Sequence, residues 1–307
     1  MPAGDRVIEI GTTPAKVSLR HGCLFITREG MPETSVPVRE VGVLILAHPQ
    51  AIATTPALHA LMAEGATVIV CDGAFLPAGL MLPLRGGTLQ TQRMLSQVAA
   101  KLPVRKRLWQ QIVKTKIRSQ AAVLQALNGD DGGLSAMADG GRVRSGDPMN
   151  VEATAAQRYW PLVFKDVEFR RRFEAEDQNR LLNYGYAILR AAMGRAVCAA
   201  GLHPSIGLHH KSRDNPWCLC DDLMEPYRPL VDFEVARLAA EYGRDCPLNA
   251  LSKQRLMEIL AQRTTADKAW KDVREVSDLM HRTAVSLVKV FAGEEDSLEY
   301  PHGLSEW

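Results

Sequence analysis

The sequence predicts an α+β protein, with a small N-terminal β-rich domain followed by a larger all-α C-terminal domain. Three observations carry that expectation. The first eighty residues hold short alternating or β-branched apolar runs broken by turn residues, the pattern of strands. From Thr88 onward, long stretches lack internal Gly or Pro and place apolar residues at helical spacing. Between the two, Pro83 and Gly86-Gly87 punctuate a linker. The expected boundaries are 1–80 for the β-rich domain, 81–87 for the linker, 88–295 for the helical domain and 296–307 for a polar tail.

Taken in order, Arg6–Ile10, Lys16–Arg20 and Cys23–Arg28 read as strands, separated by Gly11-Thr12-Thr13-Pro14 and His21-Gly22. Val41–Ala47 and Ala66–Cys71 are continuous apolar runs, as expected of strands buried on both faces. Thr54-Thr55-Pro56 opens a short helix over Ala57–Glu64, which Gly65 stops. Helices are expected over Thr88–Lys101 and Val104–Leu127, then a Gly/Asp-rich loop over Asn128–Pro148 with one short helix near Leu134–Ala138. Asn150 is the expected cap of a helix running through Phe164, and Gln178–Ala200 forms the next. His203–Cys220 reads as loop. Asp222–Glu241 follows as a helix in which Pro229 demands a kink or a later start. Ser252–Gln262 and Asp267–Phe291 complete the helices, and the tail from Gly293 is expected to be mobile.

Composition is that of a soluble globular chain: 307 residues, 46% apolar, 23% charged and a net charge of +2. No apolar run approaches the ~20 residues that span a bilayer, and the N-terminus shows no signal-peptide pattern. The six cysteines show no regular framework, as expected of reduced thiols, so the expected location is cytoplasmic. The informative feature is charge distribution. From Gly73 to Gly129 there is no Asp or Glu but nine Lys/Arg: Arg85, Arg93, Lys101, Arg105, Lys106, Arg107, Lys114, Lys116 and Arg118. Helix surfaces normally interleave acids with such bases, so the block reads as a phosphate-contacting arm. Trp109 within it suits the core or a stacked base equally.

Two carboxylates and an imidazole in distinctive settings complete the picture. Glu152 falls at about the second position of a helix, where the positive helix end also favours a plain surface carboxylate. His210 follows Gly207, a residue that permits unusual loop geometry, but His209 is adjacent and neighbouring side chains diverge. Asp221, Asp222 and Glu225 repel one another unless a cation compensates, although Arg228 could serve as that partner or the acids as helix caps. Oxygen ligands with one imidazole suit magnesium or manganese. A zinc set from His209, His210, Cys218 and Cys220 is disfavoured, because Cys-x-Cys lies outside the usual ligand spacing. No Walker A, dinucleotide-binding or Gly-x-Ser-x-Gly motif occurs.

Four stretches together resemble one family. They are Ser145-Gly146-Asp147-Pro148-Met149-Asn150-Val151-Glu152, Asn179-x-x-Leu182-Asn183-Tyr184-Gly185-Tyr186, Pro204-x-Ile206-Gly207-x-x-His210 and Asp222-Leu223-Met224-Glu225-Pro226-Tyr227-Arg228-Pro229. This order and spacing resemble the CRISPR-associated adaptation integrase/endonuclease family, the first Cas protein. The paired His209-His210 and Asp221-Asp222 look most like its type II branch. The resemblance implies Glu152, His210 and Glu225 as catalytic metal ligands for Mg2+ or Mn2+, with Asp222, His209 and Asp221 supporting. It implies homodimers formed through the N-terminal domain, a second Cas adaptation protein as partner, and double-stranded DNA as substrate. The reaction it implies joins the 3′-hydroxyl of a prespacer to the CRISPR repeat. The same residues would also serve a metal-dependent nuclease or resolvase acting on branched DNA. A non-catalytic DNA-binding scaffold is the third reading.

Overall fold

The protein is described here by a computed structural model covering residues 6–73, 77–84, 90–265 and 271–302. Strands β1 (Arg6–Ile10), β2 (Lys16–Arg20), β3 (Cys23–Thr27), β4 (Thr34–Pro37), β5 (Val41–Leu46), β6 (Ile52–Ala53), β7 (Thr67–Cys71) and β8 (Pro77–Met81) build two four-stranded sheets. One runs β1-β5-β7-β8, parallel except for β7 with β8; the other runs β4-β3-β2-β6. Helix α1 (Thr55–Ala63) lies between β6 and β7.

The continuous apolar run of β5 has a structural cause. Leu44 packs into a core shared by both sheets and α1, whereas Val43 and Ile45 pack into the helical core. Both faces are buried, so no polar alternation is tolerated. Mixed α/β architecture with a mostly helical C-terminal region is therefore the observed fold, as the sequence predicts.

The helical region comprises α2 (Gln90–Ala99), α3 (Leu102–Asn128), α4 (Leu134–Asp139), α5 (Val151–Val163), α6 (Gln178–Ala199), α7 (Cys218–Met224), α8 (Arg228–Tyr242), α9 (Ala250–Glu258) and α10 (Val276–Ala292). Helix α6 is buried along nearly its whole length, and α3 runs 27 residues before Gly129, at φ 74°, ends it. Between α7 and α8 the chain tightens into a 3₁₀ turn over Glu225–Tyr227. That turn absorbs both prolines: Pro226 and Pro229 each fall in a first turn, where a missing N–H breaks no bond.

Two expectations need correction. The helix expected from Asp267 is shorter; Arg263–Thr265 (β9) and Val273–Glu275 (β10) pair antiparallel, and α10 starts at Val276. The β-branched Thr264, Thr265 and Val273 favour that extended pairing. The tail expected to be mobile is docked through residue 302. Leu298 is buried and exchanges backbone hydrogen bonds with the Gln111 side chain, at 2.6 and 2.8 Å. Tyr300 donates to the Leu223 carbonyl at 3.1 Å, bracing α7. An apolar Leu298 and an amphipathic Tyr300 within a polar tail are its anchors.

Candidate active site

Helix α5 begins where the sequence predicts, but Asn150 is not its side-chain cap. Asp147 is: its Oδ1 accepts from Val151 N–H and its Oδ2 from Glu152 N–H, each at 3.0 Å. Asp147 and Asn150 both adopt positive φ, 48° and 51°, which Asp and Asn tolerate better than most residues. This double cap pins Glu152 in the first turn. Across from it, α3 turns Lys116 inward, and the α7–α8 turn presents Glu225 and Arg228.

The Lys116 ammonium lies between the two carboxylates, 2.5 Å from Glu152 Oε1 and 2.6 Å from Glu225 Oε2. Arg228 Nη2 lies 3.2 Å from Glu225 Oε1. Glu225 Oε2, although buried, receives no directed hydrogen bond. Exposure rises outward, with 4% of the Glu225 side chain accessible, 13% of Lys116, 24% of Glu152 and 44% of His210, so the cluster opens to solvent on one side. Burial works to raise the Glu225 carboxyl, but Arg228 and Lys116 outweigh it and hold it below the ordinary range. Burial likewise works to lower Lys116, but Glu225 and Glu152 hold it above. Glu225 and Lys116 therefore stay ionised at neutral pH.

The loop before α7 is organised by Asp222. This buried carboxylate accepts from the backbone N–H of Leu208 (2.6 Å), His209 (2.9 Å) and His210 (3.3 Å), and meets His210 Nδ1 at 2.5 Å. The ring bond fixes the imidazole so that Nε2 is its free nitrogen. It also raises the pKa of His210, with burial opposing and Asp222 and Glu225 charges assisting. His209 takes a different position, stacked on Trp109 at 4.1 Å between ring centres, so Trp109 is a core residue. Asp221 pairs with Arg190 Nε at 2.7 Å and accepts from Asn215 at 2.7 Å, tying the loop to α6. Gly207 matters for a reason other than backbone freedom. A Cβ there would lie 2.5 Å from the His210 carbonyl oxygen and 2.9 Å from Asp222 Oδ2. Gly207→Ala is expected to push the His210 loop off Asp222, costing roughly 1–3 kcal/mol in urea unfolding.

The basic block divides. Arg107, Lys114 and Arg118 line a surface cavity of about 310 Å³ on one face of α3, with Gln110, Gln111 and Asp296. Arg118 also pairs with Asp139 at 2.5 Å, and Lys106 lays its stem over Gly146. Arg93 and Arg105 instead hydrogen-bond helix-terminal carbonyls, of Ala200 and of Gln97 and Val98. Lys116 leaves the group for the carboxylates, and Arg85 lies outside the described residues. The zinc alternative finds no support in the contacts. Cys218 Sγ approaches the Asn215 carbonyl at 3.3 Å, and Cys220 packs beside Gly194. Among the described residues no three His, Cys, Asp or Glu side chains stand in metal-coordinating geometry. Glu152 and Glu225 are the pair that could hold a cation, with His210 adjoining.

Behind the site, buried Asp232 accepts from Tyr159 (3.0 Å) and Tyr186 (2.5 Å). Burial pushes its carboxyl up to about 6, although both tyrosines and Arg171 pull it down. The unfolded carboxyl titrates near 3.8, so the folded chain holds the extra proton between the two values. Stability from this group is full below about 3.8 and is lost as pH rises through about 6, a change on the order of 3 kcal/mol. Asp232→Asn is expected to flatten that part of the stability–pH profile in urea melts.

The profile of the family described as CRISPR associated protein Cas1 matches residues 9–243. The chain belongs to the Cas1 family. It is 37% identical over 248 residues to the CRISPR-associated endonuclease Cas1 of Neisseria meningitidis, covering 80% of each chain. It is 29% identical to a Pyrobaculum aerophilum protein, CRISPR-associated endonuclease Cas1 2, over 92% of this chain and 98% of that one. Solved structures share the fold at lower identity. A casposase bound to integration product superposes with a TM-score of 0.77 at 18% identity, covering 97% and 93% of the two chains. A Cas1 protein from Thermotoga maritima gives 0.71 at 16%, covering 94% and 98%. Glu152, His210 and Glu225 all lie inside the span matched to Cas1. No helix among the described residues is long and apolar enough to cross a membrane.

Proposed function

We propose that this Cas1-family chain is a CRISPR spacer-acquisition integrase, a metal-dependent DNA endonuclease that joins a prespacer 3′-hydroxyl to the CRISPR repeat. The observation that carries the reading is the convergence of Glu152 in α5 and Glu225 in the α7–α8 turn, 73 residues apart in the chain, on one cation position. Relatives named as endonucleases, and a protein of the same fold bound to an integration product, support it.

Glu152, Glu225 and His210 would hold Mg2+ or Mn2+; the donor set is oxygen-rich, and both carboxylates already face one cation, the Lys116 ammonium. When bound, such an ion supplies Lewis-acid polarisation of the scissile phosphate. The chain's residues position everything else. Asp222 orients His210, Asp147 orients Glu152, and Arg228 keeps Glu225 ionised inside the fold. The α3 face bearing Arg107, Lys114 and Arg118 grips the DNA backbone, giving salt-sensitive and largely sequence-independent affinity. The attacking 3′-oxygen forms a new bond to phosphorus while the repeat's own 3′-oxygen leaves and takes up a proton, so phosphodiesters are conserved. Homodimers joined to a second Cas adaptation protein would bring two such sites to the two repeat ends, with domain limits near 80 and 88.

The test is strand transfer. A labelled duplex with free 3′-hydroxyls is mixed with a supercoiled repeat plasmid, with Mn2+ or chelator, with and without the second Cas protein. Metal-dependent joined product is expected. Metal-dependent cutting without joining would move the assignment to a nuclease or resolvase, and neither activity would leave a DNA-binding scaffold.

A further inference from the structure

Lys116 has no task in that reaction, yet its ammonium stands where the two acidic side chains meet. Its stem rises from the core face of α3, beside Ile112, Val113 and Ile117 in the same helix, and only the tip reaches the carboxylates. The four charges there, Glu152, Glu225, Lys116 and Arg228, sum to zero. A divalent ion seated between the carboxylates with the ammonium still in place would set two cations within a few ångströms of each other in a poorly solvated site. If the ammonium withdraws, the three remaining residues plus the ion carry one surplus positive charge, matching one phosphodiester.

We propose that Lys116 is a resident counter-cation that competes with the divalent ion for Glu152 and Glu225, and so sets the metal affinity of the site. This rests on the metal reading above. The ammonium keeps the carboxylates paired and the fold intact in the metal-free protein. Metal entry expels it, and the long, flexible lysine stem lets the head move outward without moving α3.

The deciding experiment is Mn2+ titration by calorimetry of chelator-stripped protein, alongside thermal unfolding with and without Mn2+. Wild type is compared with Lys116→Met and Lys116→Gln. Lys116→Met is expected to bind Mn2+ at least tenfold more tightly. It is also expected to unfold at a lower temperature without metal, because Glu152 and Glu225 then face each other with Arg228 alone to offset them, and to show a larger Mn2+-induced rise in Tm. Lys116→Gln, with an uncharged donor in place, should fall between the two. Should the Met variant not fold in chelator, its recovery on adding Mn2+ supports competition, and tighter binding by the Gln variant does so independently. Wild type that binds Mn2+ beside variants that bind no more tightly would overturn the Lys116 proposal and leave the metal reading standing. No binding heat and no Tm shift in any of the three would overturn both.

Discussion

Replacing Glu225 by Ala is expected to destabilise the fold by about 3–5 kcal/mol as well as eliminate strand transfer. The carboxylate is almost wholly enclosed, and both Lys116 and Arg228 depend on it. Truncation leaves two inward-facing cations without their common partner, the costly way to break a buried ion pair. Ala is therefore a poor test of chemistry, since lost activity would be confounded with lost folding. Glu225→Gln separates the two. It keeps the side-chain volume and an acceptor for Arg228 Nη2, removes the charge and one anionic ligand, and turns an NH2 toward Lys116, which retains Glu152 as its partner. Its unfolding free energy in urea should fall by roughly 2 kcal/mol, and salt-dependent DNA binding should persist, because the α3 face bearing Arg107, Lys114 and Arg118 is untouched. Joined product should drop by about 10³-fold, the scale of several kcal/mol of lost charge stabilisation at phosphorus. A Gln variant that joins DNA within tenfold of wild type would remove Glu225 from the catalytic set.

The division between strands and helices was legible because periodicity is local. The apolar run of β5 and the Gly/Pro-free span of α3 each announce their structure within a dozen residues. The carboxylates were legible as motif positions, since Asp147 through Glu152 and Asp222 through Pro229 sit in compact, unusual strings. What joins them was not. Lys116 reads as one of nine bases in an acid-free block, yet its ammonium turns inward to two carboxylates. A signal existed: Arg107, Gln111, Lys114 and Arg118 share one helical face, whereas Lys116 falls on the opposite side with Trp109, Ile112 and Val113. A lysine on an apolar face needs a buried partner, and that partner comes from positions 152 and 225. Asp147 was hidden for another reason. It caps from outside the usual position, because positive φ at 147 and 150 folds the chain back on itself. The docked tail has no sequence signature, because Leu298 and Tyr300 are isolated among polar and acidic residues, and two anchors carry no periodicity.

Asp222 is the residue through which these local pieces become one site, and Asp222→Asn should be nearly as damaging as any ligand change. Its two oxygens take three backbone N–H groups and the His210 ring. An amide in its place offers one acceptor oxygen and turns an NH2 group toward donors, whichever way it is flipped. At least one pair of buried donors loses its acceptor, and the residual oxygen is no longer charged. A loss of about 2–4 kcal/mol in unfolding free energy follows. Freed from its anchor, His210 should sample other orientations, and strand transfer should fall by a further 10- to 100-fold beyond what reduced folding explains. The histidine itself supplies an independent readout. The Asp222 bond is the main cause of its raised pKa, so NMR titration of the variant should find that pKa moved down toward the ordinary 6.5. The sign for stability follows. In wild type the contribution from protonated His210 is present below 6.5 and is lost as pH rises through the higher folded pKa; in the variant that pH-dependent loss should be absent. An unshifted His210 titration in a folded Asp222→Asn protein would show that the loop holds its histidine by other means, and Asp222 would then be only a buried helix acid.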